Sequence, residues 1–407
     1  MSTRAALDFD PTTPEQRANP FDVLERARRE QPVFYAPALD LWVVTRHEDV
    51  LTMVKEHKTF SSAGALKSSS IPHAQEVLDV LAAGFPAMPY IIELDPPLHN
   101  RIRGLVARAF TPRRIGELEP RITEIAERLI DGLAPLGRVN IIDAFAWPLP
   151  LRVLGELFGF PEGDLEQIHR WGNDWLLLQQ ERPVDEQIEH ARGLVDFQRY
   201  CVAAVESRRR NPTGDLLGAM VAANEEADDA LTAVEIAGLP LDLMVAGHVT
   251  VTRAIGSALH RSFTEPRLRN DLLDPGMAPK AIDEILRLES PAQGLFRVTT
   301  REVELGGALL PKGARVMAHF ASANRDSCVF AHADAYDADR VDLGHHLAFG
   351  KGVHFCIGAP LGRLELRIAL PMLLSRLPGL RPGPEPPRRE PIFFARGFTS
   401  LPVEWDV

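Results

Sequence analysis

Cysteine is scarce in this chain: 407 residues carry three, Cys201, Cys328 and Cys356. So few cannot form a disulfide framework for a chain of this length, and they point to a reducing compartment. Aromatic residues are also few, at 7%, and an excess of positive charge is missing altogether. A formal net charge of −11 argues against nonspecific binding of nucleic acid, which needs a basic surface. No Ser/Gly-rich linker, charge block or internal repeat divides the sequence. One large domain over residues 1–407 is therefore expected, although length alone would allow two or three. No basic start followed by an apolar run opens the chain, so no signal peptide and no membrane anchor is expected, and the expected location is cytoplasmic. The most apolar later stretch, Ile236 to Ile255, is broken by Pro240, Asp242, His248 and Arg253. It reads as a buried helix rather than a membrane span.

What is present is a large apolar fraction, 45%, enough for a sizeable core, and 33 prolines marking many short connections. Apolar periodicity predicts short helices over 20–30 and 48–57 with a strand over 41–45 between them. Residues 59–89, including Ser68, Ser69 and Ser70, read as an irregular mobile loop with a helical piece near 75–83. Helices are expected over 97–110, 113–133, 150–158, 163–180, 184–210, 232–261, 278–288 and 358–377. Thr232 and Glu235 form a capping box that starts the sixth. Strands are expected over 295–305 and 314–319, with strands and turns in the tail. Pro240 and Pro371 fall inside helical patterns, where proline removes a hydrogen bond, so a bend is expected near each.

The most informative stretch runs from Phe349 to Gly358. It sets Cys356 in a glycine-rich loop just before an apolar-periodic helix, whose N-terminus favours a thiolate. Gly350, Gly352 and Gly358 permit tight turns and close approach to a flat ligand. Phe349 offers an aromatic face, and His354 a donor for an anion. The pattern Phe-x-x-Gly-x-His-x-Cys-x-Gly resembles the haem-binding loop of the cytochrome P450 family. The resemblance extends over nearly the whole chain and is sharpest over about 230–370. It implies a mainly α fold with a smaller β region, and haem b with iron bound axially by Cys356.

Further residues take their roles from that resemblance. His99, Arg103, Arg297 and His354 match positions that hold haem propionates, for which arginine's fork is suited. Glu284, Arg287 and Arg340 match a buried structural charge network, although an exposed ion pair is the ordinary meaning of this spacing. Ala246, Gly247 and Thr250 match the helix that crosses the open haem face, with Gly247 leaving room for dioxygen and Thr250 steering protons to it. Val249 stands where the family has an acid, and valine cannot relay a proton, a service worth ~10²–10⁴ in rate. Three readings stay open: water and Thr250 suffice, protons come from the substrate or from His248, or the chain does not perform ordinary monooxygenation.

Met88, Tyr90, Ile91, Leu243, Met244, Gly294, Leu295, Phe296, Phe393 and Phe394 match pocket positions, about half of them expected to be ordinary core. Their apolar character implies a small, largely apolar substrate. The implied enzyme is a monooxygenase that hydroxylates, epoxidises or dealkylates such a molecule with O2. Electrons would come ultimately from NAD(P)H through a ferredoxin and its reductase, steered by Arg101, Arg108, Arg113, Arg114 and Lys351. A monomer is expected. The alternatives are nitric oxide reduction or oxidative coupling on the same scaffold, or a noncatalytic haem sensor.

Overall fold

A computed structural model describes residues 7–65, 73–85, 88–178, 180, 182–227 and 229–407. The expected mobile serines 68–70 lie outside these. Contacts group the chain into two compact units.

The first unit comprises the described residues of Met1–Ser68, Ile130–Ala146 and Thr250–Val407. Its main sheet has five strands in the order Val33–Ala36, Leu41–Val44, Arg315–Ala318, Leu295–Thr299 and Phe60–Ser61. Leu41–Val44 runs parallel to Arg315–Ala318, and the other pairs are antiparallel. Alternation buries Val44, Val316, Ala318 and Phe60 in one cluster with Val50, Met53 and Val54 of the helix His47–Lys55. Val43 and Met317, whose positions alternate with these, enter a second cluster with Leu24 and Ala27 of the helix Phe21–Glu30. The expected single strand over 295–305 is two, Leu295–Thr299 and Val303–Leu305. Thr299 still pairs with Phe60 in the main sheet, whereas Val303–Leu305 forms its own hairpin with Ala308–Leu310.

The second unit comprises the described residues of Ser69–Leu129 and Trp147–Val249 and is helical. The helix Val184–Arg210 keeps its expected bounds and packs on Leu165–Leu177, Gln75–Ala82 and Leu216–Glu225. The expected helix over 113–133 is two, Pro112–Gly116 and Glu119–Leu133. Pro120 has no N–H and fits only in a first turn, so the second helix has to start beside it. Two helices of eight residues or more went unexpected among the described residues: Leu216–Glu225 in this unit and Pro266–Leu273 in the first. The long helix Ala233–Ser262 gives its residues up to Val249 to this unit and the rest to the first. Thr232 and Glu235 make the reciprocal bonds of a capping box at its start. It runs unbroken through Pro240, as Ala359–Arg376 does through Pro371.

Candidate functional site

In the first unit the cysteine loop is shaped by its glycines. Gly350 and Gly352 have φ of +65° and +72°, the region side chains avoid. At Gly352 a Cβ would also lie 2.5 Å from the Val54 carbonyl oxygen. Gly358 differs from expectation: its φ of −80° suits any residue, and a Cβ there would meet only the Cys356 sulfur at 3.8 Å. The Cys356 amide donates to the Phe349 carbonyl at 2.9 Å, closing the loop. Cys356 and Phe355 are exposed at its rim, with two residues between Cys356 and the 18-residue helix Ala359–Arg376. The Arg363 guanidinium covers the Phe349 ring at 4.4 Å and bonds Asp283 at 2.7 Å. Burial works against ionisation of Asp283, but His346 and Arg363 outweigh it and hold the carboxylate below its ordinary range.

Behind the loop, Glu284 and Arg287 are wholly buried on the helix Ala278–Glu289. Arg287 makes a two-pronged pair with Glu284, both bonds 2.7 Å, and donates to the carbonyls of Asn324 and Ala333. Arg340 donates to both Glu284 oxygens at 3.1 Å, and the Asp337 amide bonds the same carboxylate. The side chain of Asn324 accepts from the Leu347 amide at 2.6 Å. One buried carboxylate thus organises the backbone from 324 to 347, just ahead of Phe349.

Two proposed propionate partners lie in this unit. Arg297, on the strand Leu295–Thr299, is buried and donates to its neighbour's carbonyl, Phe296. His354 Nε2 sits 3.0 Å from the Ser62 hydroxyl. Phe296, Phe393 and Phe394 form a triangle of edge-on rings with centroids 5.5–6.0 Å apart. The triangle packs against the cluster of Leu24 and Met317, so these three rings are partly ordinary core. Gly294 is buried with its Cα against the Ala318 backbone, and Leu295 is half-buried against the other cluster. Thr250, at the start of this unit's share of the long helix, is half-buried.

In the second unit His99 and Arg103 sit one turn apart on the helix Leu98–Ala109, His99 buried and Arg103 half-buried. Ala246 is exposed and Gly247 half-buried on the long helix. A Cβ on Gly247 would lie 2.8 Å from Leu154 of Pro148–Phe158, so this glycine lets two helices approach on that side rather than only clearing space for a gas. Met244 and Met88 are buried, while Leu243, Tyr90 and Ile91 are half-buried. Of the supposed docking arginines, Arg101 pairs with Asp229 and Arg113 with Glu117, which neutralises both.

Sequence reasoning named His248 as a proton source but missed its contacts, and it missed the roles of His169, Asp242 and Glu365. His248 Nδ1 lies 2.6 Å from the Met244 carbonyl, and its other nitrogen lies 3.3 Å from His169, which stacks on Trp147 and reaches Asn173. Asp242 accepts from the Ile91 amide at 2.6 Å. Glu365 is 1% exposed, and its Oε1 has no partner among the described residues. Nothing local in the sequence marks these contacts, since most join distant segments.

The family model described as Cytochrome P450 matches residues 276–396. Cytochrome P450 107B1 of Saccharopolyspora erythraea is 36% identical over 98% of this chain and 97% of its own. The mycinamicin IV hydroxylase/epoxidase of Micromonospora griseorubida is 36% identical over 90% of each chain. Among solved structures, cytochrome P450 CYP109Q5 of Chondromyces apiculatus is 34% identical with a TM-score of 0.87, covering 98% of this chain and 99% of that one.

Proposed function

The chain belongs to the cytochrome P450 family, and from that premise we propose that it is a cytoplasmic, monomeric, ferredoxin-dependent enzyme that oxidises a small, largely apolar molecule at a haem held by Cys356. Membership itself makes the protein a monooxygenase of organic molecules with protohaem on a cysteine thiolate, electrons ultimately from NAD(P)H and a redox partner protein. We take the whole chain to serve that one function.

The observation that carries the assignment to Cys356 is the contrast among the three cysteines. Cys201 is buried, and desolvation drives its thiol well above the ordinary value. At Cys328 the neighbouring Asp326 raises the thiol. Cys328 is exposed as well, but of the three only Cys356 follows two left-handed glycines, Gly350 and Gly352, and precedes the N-terminus of an 18-residue helix. The donor set of the first unit fits a haem: a sulfur for iron, with His354 and Arg297 as N–H donors for carboxylates; His99 and Arg103 keep that role from the family resemblance alone. When bound, the haem supplies electron transfer and dioxygen activation. The protein's part is to hold the sulfur, bind the carboxylates, exclude water with apolar side chains and deliver protons. Thr250 provides a hydroxyl for that delivery. Val249 provides none.

The test is replacement of each cysteine. Cys356→Ser should retain helical circular dichroism but lose the thiolate signature in the optical spectrum of the reduced carbon monoxide adduct. Cys201→Ser and Cys328→Ser should keep it, and a thiolate spectrum surviving in Cys356→Ser would end the assignment. Substrate class is read by Soret titration with terpenoids, aromatic acids, steroids and macrolides, the macrolide arm being suggested by the mycinamicin relative. Solubility is supported by the long helix Ala233–Ser262: it is apolar enough to span a membrane, yet 61% of its most apolar window is buried inside the protein. Val249 also favours a second reading, nitric oxide reduction with electrons taken directly from a nicotinamide. NADH oxidation driven by nitric oxide without a ferredoxin would select it. Under the first reading, Val249→Glu shifts electrons from peroxide to product, and an unchanged ratio shows the missing acid to be unimportant.

A further inference from the structure

The long helix Ala233–Ser262 meets the segment Met88–Glu93 through two residues one turn apart, Gly238 and Asp242. At Gly238 a Cβ would overlap the Pro89 carbonyl oxygen and press the Met88 side chain at 3.2 Å, so only glycine admits this approach. Asp242 Oδ2 accepts from the Ile91 amide at 2.6 Å, and its carboxylate also bonds the Ile92 amide. These amides open the short 3₁₀ turn Ile91–Glu93, which has no side-chain cap of its own. Asp242 therefore acts as the cap of a turn 151 residues earlier in the chain. The far side of the segment is fixed by the helix Val184–Arg210, whose Gln198 donates to the Tyr90 hydroxyl at 3.0 Å and accepts from the Phe85 amide at 2.9 Å. Positions 238, 242 and 246 follow one another at helical-turn spacing, so the stripe leads to Ala246.

We propose that Gly238 and Asp242 form a clamp that holds Met88, Tyr90 and Ile91 as a fixed wall, making Asp242 a positioning residue that sets affinity for bulky ligands. The proposal deepens the monooxygenase reading and rests on it for the identity of that wall. A carboxylate gripping two amides gives charge-assisted bonds, stronger than neutral ones. Burial pushes its carboxyl up to about 7 against the pull of those amides, with Glu93 adding to the rise; the groups facing it are Glu93 and Tyr90, the latter also next to Cys201. The grip is thus adjustable near neutral pH and strongest in the ionised form.

The test uses the haem-loaded protein and two probes, imidazole and 4-phenylimidazole, read by optical titration, together with hydrogen exchange of the Ile91 and Ile92 amides. In Asp242→Ala, exchange at both amides and the dissociation constant for 4-phenylimidazole should each rise about tenfold, the loss of a charge-assisted bond. Imidazole, too small to press on the wall, should bind as before. Asp242→Asn, which keeps one acceptor, should restore most of the affinity and remove the change with pH between 6 and 8 that is left after the probe's own protonation is corrected for. Gly238→Ala should displace the wall and weaken 4-phenylimidazole alone, which keeps the test alive should Asp242→Ala fold poorly. Unchanged exchange at Ile91 and Ile92, or equal weakening of both probes, overturns the clamp. A protein that responds to neither probe because it takes no haem overturns the parent reading instead, and the exchange arm still decides the clamp.

Discussion

Two ion pairs in this protein share one spacing and opposite surroundings. Glu284 and Arg287 stand three residues apart on Ala278–Glu289 in the first unit, with side-chain exposures of 0% and 0%. Asp196 and Arg199 stand three apart on Val184–Arg210 in the second, at 55% and 56%. Sequence periodicity treats the two alike. The difference is that Arg287 spends its remaining donors on the carbonyls of Asn324 and Ala333, while the exposed Arg199 adds only the Ala83 carbonyl among the described residues. A buried pair survives desolvation when every lone pair and proton is matched. Local spacing says which charges meet, and only the tertiary backbone says what the meeting is worth.

The largest effect is therefore expected from Arg287→Ala. It leaves the buried Glu284 carboxylate with only Arg340 and the Asp337 amide of the partners described above and orphans two carbonyls, at about 3–5 kcal/mol. Denaturant unfolding should show that loss or the protein should fail to accumulate, with the loop around Cys356 disordered. A loss under about 1 kcal/mol would mean that the burial of this pair carries no weight. Next comes a buried carboxyl, one of whose oxygens has no partner among the described residues. Burial alone pushes the Glu365 carboxyl from 4.5 up to about 8. The folded state holds this proton more tightly than the unfolded chain. The stability it lends is complete below about 4.5 and disappears as pH rises to about 8. Glu365→Gln should flatten that slope and leave the protein more stable at pH 9 by a few kcal/mol. Thermal melting across pH checks it, and parallel profiles for the two proteins would show that Glu365 ionises normally.

Much of this was legible from local pattern. The loop 349–358, the helix 184–210 and the capping box Thr232–Glu235 announce themselves because their determinants lie within a turn or two of each other. The cap at Asp215 was equally local: its carboxylate accepts from the Gly218 amide at 2.8 Å, and attention to it would have found the helix Leu216–Glu225. Asp242 and Glu365 were not legible. The first closes a contact across 151 residues, and the second hides an acid in a helix whose apolar pattern it interrupts once. The break at Pro120 was readable from chemistry but lost to a periodicity that continues across it. The packing reason for Gly247 needed the position of Leu154, which no sequence pattern supplies.

Asp215→Ala should be intermediate. The residue caps a helix, accepts from the Thr213 hydroxyl at 2.7 Å and pairs with Arg208 at 3.2 Å, its side chain only 13% exposed. A loss of about 1–2 kcal/mol is expected by denaturant unfolding. The smallest effect belongs to Asp196→Ala. Its direct 3.2 Å pair with Arg199 is exposed on the surface, where screening and the entropy of holding two side chains cancel most of the attraction. The change should stay within about 0.5 kcal/mol, and raising the salt concentration should alter even that little. A double-mutant cycle with Arg199→Ala isolates the pair itself. A coupling near that of a buried pair would mean that three-residue spacing on a helix is strong by itself, and the contrast with Glu284 and Arg287 would then have to come from geometry rather than from burial.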